Sequence, residues 1–205
     1  MRTLAIDCAT QACSVALFEG DRMLAAHYDL IGRGHAERLV PLIADLPDKG
    51  RATRILVSLG PGSFTGVRIG IAAARALGLA WNAQVLGYPT LALVAAMARE
   101  GHPGSVTVCM EGGHGEWFVQ DFGADGLPIG NLASLTPDKA RQHSYQPVLA
   151  GSKASAMASL IGADQVILDV LPDARHLPSV PSSLLSADLS PIYGRDPDAK
   201  LPGVR

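Results

Sequence analysis

A glycine-rich run, Gly60-Pro61-Gly62-Ser63-Phe64-Thr65-Gly66-Val67-Arg68-Ile69-Gly70, is the feature that most constrains the fold of this chain. It lies between an apolar segment at residues 55–59 and a helical pattern over residues 67–81. A strand, a turn that tolerates positive φ and a helix start together expose backbone N–H groups, which can hold an anion. The run therefore predicts either an anion-binding turn or a strand-to-helix connection whose glycines serve only the backbone.

The spacing of the run excludes the two best-known phosphate loops. A P-loop ends in Gly-Lys-Ser/Thr, whereas a valine follows Gly66. The dinucleotide-binding fingerprint G-x-G-x-x-G is also missing, because three residues instead of two separate Gly62 from Gly66. A nucleophile elbow needs G-x-S-x-G, but Gly62 directly precedes Ser63. We expect Ser63 or Thr65 to cap the following helix, which contributes about 1 kcal/mol.

Composition and charge place the chain among globular proteins. Of its 205 residues, 48% are hydrophobic and 18% are charged. The formal net charge of −2 gives no global basic signature for nucleic acid, so any RNA contact needs a local patch or a partner. The cysteines, Cys8, Cys13 and Cys109, are odd in number and form no CxxC pair, which argues against a disulfide framework and a zinc site. We read Cys8 and Cys13 as small buried hydrophobes.

The start of the chain runs directly into a strand, without the apolar region of a secretory signal. The longest apolar stretch, residues 67–83, is interrupted by Arg68 and Arg75 and does not reach the ~18 residues that a membrane span requires. We therefore expect a cytoplasmic protein that makes no contact with a membrane.

The order β-β-β-α-β-α occurs twice along the chain. In the first half we predict strands at 3–8, 14–19, 22–30 and 55–59, helices at 35–46 and 67–81, a short strand at 84–87 and a third helix capped by Thr90. In the second half we predict strands at 105–110, 116–122, 127–135 and 148–150, and helices at 136–143 and 152–161. The prediction is an α/β fold with one half at residues 1–102 and a smaller half with a proline-rich tail at residues 103–205.

The helix predicted at 67–81 is apolar or small almost all round. Its residues Gly70, Ala74 and Gly78 are four apart and form a ridge that lets another element approach closely. Each interior glycine costs about 1 kcal/mol relative to alanine, so close packing is the expected compensation. The helix at 35–46 is the expected neighbour inside the chain, and a partner protein is the alternative.

Two residues are candidates for chemistry. Asp7 ends the first strand, where it can hold a magnesium–phosphate group through water or accept backbone N–H bonds within a hairpin. His35 is followed four residues later by Leu39, so the helix presents a single imidazole, and we predict no metal site. The facing segment of the second half, residues 109–115, is glycine-rich but holds no aspartate to pair with Asp7.

The run from Gly60 to Gly70 resembles the signature of the TsaB family, also called YeaZ, whose members are accessory subunits for making threonylcarbamoyladenosine in tRNA. Residues 4–16, 35–43 and 191–195 are similar to the first hairpin, the first helix and the C-terminal motif of that family. The resemblance is strongest over residues 3–90. It implies a fold of the actin/Hsp70/sugar-kinase type with two β-β-β-α-β-α halves, the second one reduced.

The resemblance also implies a non-catalytic subunit without cofactor or metal. It implies a heterodimer with a TsaD-type transferase through helices of the first half, docking of a TsaE-type ATPase on that pair, and tRNA contact only through the complex. It leaves open whether the isolated chain forms a homodimer. The partner-facing residues predicted on this basis are His35, Leu39, Leu42, Ile43, Gly70, Ile71, Ala74, Arg75 and Gly78.

Two alternatives of a different class follow from the same residues. Asp7 and the glycine turn suggest a small ATP-dependent kinase of the same fold. A peptidase homologue of the glycoprotease-labelled M22 type is the second, and the missing histidine pair argues against it. The chain departs from the TsaB pattern at residues 111–118, where it keeps Glu116 but lacks an arginine, and this leaves the dimerisation role untouched.

Overall fold

Residues 1–162 and 164–194 are described by a computed structural model of the chain. The first half contains strands β1 (Arg2–Asp7), β2 (Ala12–Glu19), β3 (Arg22–Leu30), β4 (Arg54–Ser58) and β5 (Gln84–Tyr88), and helices α1 (His35–Ala44), α2 (Phe64–Trp81) and α3 (Thr90–Gly101). The second half contains strands β6 (Val106–Gly113), β7 (Glu116–Phe122), β8 (Pro128–Leu135), β9 (Val148–Ala150) and β10 (Val166–Leu168), and helices α4 (Pro137–Ala140) and α5 (Ala154–Ile161).

The described residues form two five-stranded mixed sheets, with the orders β3-β2-β1-β4-β5 and β10-β9-β6-β7-β8. In each sheet three consecutive antiparallel strands are followed by parallel ones, so the second sheet repeats the order of the first. The predicted α/β fold with a reduced second half is confirmed, since β9 and β10 have only three residues each. Strand β10 and a turn at Pro47–Gly50, in which Asp48 and Lys49 have positive φ, were not predicted.

Strand β1 is buried because helices cover both faces of the first sheet. Its residues Leu4 and Ile6 share a core with α1 and α2, whereas Ala5, which points to the opposite face, shares a core with α3. Helix α3 also packs against Val106 and Val108 of the second sheet. Helices α1 and α2 therefore lie side by side on the outside of the first sheet, and α3 lies between the two sheets.

The chain returns to the first sheet after β10. The backbone N–H of Ala174 donates to the Ser14 hydroxyl oxygen at 3.0 Å, and that of Ile192 donates to the carbonyl oxygen of Leu59 at 2.7 Å. The expected boundary at residue 102 lies between the two sheets, but the segment after β10 contacts both. The C-terminal motif ends at Arg195, which lies outside the described residues.

The predicted helix caps differ in outcome. Ser63 is the N-cap of α2, and its Oγ accepts the N–H of Gly66 at 3.2 Å, which confirms that prediction. The prediction that Thr90 caps α3 is wrong. Thr90 is the first residue of α3, and its hydroxyl instead lies 2.5 Å from that of Ser58, a buried partner that local sequence does not reveal. Within residues 1–162 and 164–194, no helix has both the length and the apolar character to span a bilayer.

Candidate functional site

The glycine-rich turn at residues 60–66 is built against the tip of the β1–β2 hairpin. A Cβ added to Gly62 would lie 2.1 Å from the carbonyl oxygen of Ala9, and one added to Gly66 would lie 2.1 Å from that of Cys8. Both distances are far below van der Waals contact with backbone atoms that cannot rotate away. Gly62 and Gly66 are therefore required by the close approach of two backbone segments.

Several N–H groups that an anion would need already donate within the chain. The N–H of Ser63 donates to the carbonyl oxygen of Ala9 at 2.7 Å, and that of Val67 donates to the carbonyl oxygen of Ser63 at 3.0 Å. The carbonyl oxygen of Gly60, whose φ is +92°, accepts the N–H of Thr90 at 2.8 Å. This geometry favours the second predicted role of the run, which is a connection that fastens the hairpin, α2 and α3 together.

A groove of about 780 Å³ lies beside the turn, between the two halves of the chain. Its walls are the hairpin tip, the turn, the β6–β7 hairpin and the segment at residues 192–194. At its mouth the guanidinium of Arg68 lies 3.5 Å from the ring centroid of Phe64, and its Nη2 donates to the Tyr193 hydroxyl at 2.8 Å. These contacts hold the first turn of α2 against the C-terminal segment.

Asp7 does not face this groove. The residue is 1% exposed, and its carboxylate accepts the backbone N–H of Ala9 at 2.9 Å and the hydroxyl of Tyr88 at 3.1 Å. Burial raises the pKa of Asp7 from 3.8 to about 6, although these hydrogen bonds oppose the shift. The structure favours the hairpin role predicted for Asp7 over a vestigial phosphate site, because the carboxylate is enclosed by protein atoms.

His35 is also a core residue. It is 6% exposed, and its Nε2 lies 3.3 Å from the carbonyl oxygen of Ala12. Since a carbonyl oxygen only accepts, Nε2 carries the proton in this contact. In the described part of the chain, no group of three or more His, Cys, Asp or Glu side chains could hold a metal ion.

The predicted partner-facing residues require a correction, because all of them except Arg75 are buried in the chain itself. The inward residues are His35, Leu39, Leu42, Ile43, Gly70, Ile71, Ala74 and Gly78. The ridge of small residues faces the first sheet: a Cβ at residue 70 would lie 3.5 Å from Val57, and one at residue 78 would lie 2.4 Å from Val85. Small side chains thus bring α2 close to its own sheet, and they do not form a surface for another protein.

The opposite sides of α1 and α2 carry exposed apolar residues that we call the α1–α2 outer face. They are Ala36, Val40, Pro41 and Ala44 of α1 and Ala72, Ala76, Leu79 and Ala80 of α2. Leu79 is 88% exposed and Val40 is 59% exposed, and Arg75 lies among them. Sequence reasoning missed this face, although its residues in α2 follow the same helical period as the inner ridge.

Comparison with known proteins agrees with this architecture. The family model described as "TsaD: tRNA N6-adenosine threonylcarbamoyltransferase" matches residues 29–158, which is more than half of the chain. The TsaB protein of Escherichia coli K12, described as a tRNA threonylcarbamoyladenosine biosynthesis protein, is 39% identical over 61% of this chain and 56% of its own length. The TsaB protein of Bacillus subtilis 168 is 32% identical over 48% of this chain and 45% of its own length.

The solved structure of YeaZ from Pseudomonas aeruginosa superposes with a TM-score of 0.80 and 29% identity, covering 94% of this chain and 99% of that one. The chain belongs to the TsaB (YeaZ) family. In sequence, the alignments span about half the length of the curated TsaB relatives that it matches. The glycine turn and α2 lie inside residues 29–158, the part of the chain that the family model matches.

Proposed function

We propose that this chain is a non-catalytic subunit for the synthesis of threonylcarbamoyladenosine at position 37 of tRNA. In this role it dimerises with a TsaD-type threonylcarbamoyltransferase and activates it. The relatives named as biosynthesis proteins for this nucleoside support the pathway, and the match to a transferase family model supports a partner of that type. A cytoplasmic location follows from the proposal, since it places the chain beside tRNA.

The α1–α2 outer face is the observation that carries the proposal. Two neighbouring helices expose alanine, valine, proline and leucine side chains on the side away from the sheet. A surface patch in which apolar residues of two helices lie together is typical of a site that contacts another protein. The transferase is proposed to cover this face, and Leu79, the most exposed of the large apolar side chains on it, is proposed to be near the centre of the contact.

The surface proposed for the partner is therefore the α1–α2 outer face, on the side of α2 opposite to the ridge that the sequence predicted. Only Arg75 is retained from the predicted set, because it is exposed next to Ala72, Ala76 and Leu79. With a net charge of −2 the chain has no overall attraction for tRNA, and tRNA contact is proposed to occur only through the complex. Docking of a TsaE-type ATPase on the pair belongs to the same proposal.

A mixing experiment tests the proposal. The chain is combined with a TsaD-type transferase, with and without a TsaE-type ATPase and ATP, and the mixtures are followed by size-exclusion chromatography with light scattering. We expect co-elution as a heterodimer, and tRNA modification only when the transferase is present. Modification by the chain alone, or a chain that elutes unchanged at all concentrations, would overturn the proposal.

A pair of matched variants locates the contact. Leu79→Lys places a charge on the α1–α2 outer face, whereas Ile129→Lys places one on β8, where Ile129 is 51% exposed. Desolvating a lysine in an interface is costly, so we expect Leu79→Lys to weaken binding at least about tenfold, or about 1.4 kcal/mol. Ile129→Lys should bind like the parent chain, and equal effects of the two variants would exclude this location.

A further inference from the structure

Two of the three thiols face each other inside the first half. Strands β1 and β2 pair with Asp7 opposite Ser14, and the same register places Cys8 opposite Cys13. The two sulfur atoms are 3.7 Å apart, and both residues are buried, at 1% and 0% exposure. Both sulfurs are unbonded to any other cysteine. This is van der Waals contact between sulfurs, so only about 1.7 Å separates them from the bond length of a disulfide.

We propose that Cys8 and Cys13 form a dithiol that a hydroperoxide oxidises to an intramolecular disulfide. The Cys13 sulfur attacks one peroxide oxygen, which gives a sulfenic acid and, with the displaced proton, one molecule of water. The Cys8 sulfur then displaces the hydroxyl group of that sulfenic acid as a second water. Two thiols and one hydrogen peroxide thus give one disulfide and two waters, with two electrons passing from sulfur to oxygen.

The chemistry of the pair fits these separate roles. The contact between the two thiols lowers the pKa of Cys13 below its usual value and raises that of Cys8. The thiolate is the nucleophilic form, so Cys13 is the sulfur that reacts with peroxide and Cys8 is the one that resolves the product. Cys109 has no such neighbour; burial raises its pKa to about 12, and it belongs to a different core cluster.

The hairpin tip between the two cysteines faces the groove. The residues that connect the two cysteines include Thr10 and Gln11, and both line the groove beside the glycine turn. Gln11 is exposed and Thr10 is half-buried. Local opening of this hairpin tip admits a molecule of the size of hydrogen peroxide, and the reaction should be slower than that of an exposed thiol.

The disulfide would act on helix α2. The Cβ and Sγ atoms of Cys8 lie 3.6 and 3.9 Å from the position that a Cβ of residue 70 would take, and the carbonyl of Cys8 abuts Gly66. Drawing Cys8 toward Cys13 therefore changes the surface on which the first turns of α2 rest. An effect on transferase binding would follow, and that consequence alone rests on the proposed function.

Peptide mapping of the full-length chain tests the proposal. The reduced protein is exposed to hydrogen peroxide, quenched, unfolded, alkylated and digested with trypsin. Cleavage after Arg2 and Arg22 releases both cysteines in one peptide, residues 3–22, while Cys109 lies in residues 100–139. We expect peptide 3–22 without alkyl groups and two hydrogen atoms lighter, a fully alkylated Cys109, and reversal by dithiothreitol.

Three cysteine-to-serine variants serve as controls. Cys109→Ser should respond like the parent chain, whereas Cys8→Ser and Cys13→Ser should lose the unalkylated product. Full alkylation of peptide 3–22 after a dose that oxidises glutathione completely would overturn the proposal, and so would a disulfide only between two chains. These results need no partner protein, so they stand apart from any failure of the transferase to bind. Hydrogen exchange at residues 64–74 should rise in the oxidised form.

Discussion

The contrast between Gly66 and Gly70 gives the sharpest test of the role assigned to the glycine turn. Both residues lie in α2 with ordinary helical φ, so in an isolated helix alanine would be favoured at either site by about 1 kcal/mol. In the folded chain a Cβ at residue 66 would lie 2.1 Å from the carbonyl oxygen of Cys8. At residue 70 the nearest atom would be 3.5 Å away, which is ordinary contact.

The expected magnitudes follow from these distances. At residue 66 the helix and the hairpin must separate by about 1.3 Å to restore contact, and both are backbone segments held by the sheet and the N-cap. Overpacking of this kind costs about 3 kcal/mol, whereas the higher helix propensity of alanine contributes about 1 kcal/mol in the opposite direction. Gly66→Ala should therefore destabilise the fold by about 2 kcal/mol. Gly70→Ala causes no such clash and gains only in helix propensity, so it should stabilise the fold by up to about 1 kcal/mol.

Thermal unfolding followed by circular dichroism distinguishes these two variants. A difference of about 3 kcal/mol corresponds to roughly 6–12 °C in melting temperature for a chain of this size. Gly70→Ala is the matched control, because it makes the same substitution in the same helix. Equal melting temperatures would refute the reasoning, since they would mean that the hairpin carbonyl does not require glycine at residue 66.

Three further predictions concern the same elements. Ser63→Ala removes the acceptor of the Gly66 N–H and should lower the free energy of unfolding by about 1 kcal/mol in urea titrations; an unchanged midpoint would contradict the cap. Gly78→Ala should fall between the two variants above, because its Cβ would meet a methyl of Val85 that can move. The pKa of Asp7 is about 6 in the folded state against 3.8 in the unfolded chain, so the folded state holds this proton more firmly and stability should fall by about 3 kcal/mol as pH rises from about 3 to 7. Asp7→Asn should flatten that slope, and an unchanged slope would exclude Asp7 as its source.

The first half of the fold could be predicted from the sequence because its signals are local and repeated. The nearly continuous apolar runs of β1 and β2 each mark a strand that is buried on both faces, and the three- and four-residue spacing of Leu39, Leu42 and Ile43 marks the buried side of α1. The second half was predicted less well. Helix α4 ends at Ala140 instead of residue 143, and β10 was missed, because segments of three or four residues depend on neighbours that are distant in sequence.

The candidate site was predicted in its elements but not in its contacts. The spacing of Gly70, Ala74 and Gly78 identifies a side of α2 that something approaches closely, but it does not say whether that is the chain's own sheet or a partner. The same ambiguity applies to Asp7, where a carboxylate after a strand suits a phosphate site and a buried hairpin equally well. In both cases the answer depends on tertiary neighbours, Val57 for the helix and Tyr88 for the aspartate.

The glycine run and the α1–α2 outer face are two sides of one structural unit. The hairpin carbonyls hold the start of α2 through Gly62 and Gly66, and the inner ridge draws the rest of that helix onto the sheet. The outer face is fixed in position as a result, because a helix that is anchored at its N-terminus and along one side cannot rotate about its axis. A substitution in the glycine run should therefore weaken partner binding only by as much as it destabilises α2. Leu79→Lys, in contrast, should weaken binding and leave the melting temperature nearly unchanged. Comparing the two kinds of variant in both assays separates the anchoring of the helix from its contact with a partner.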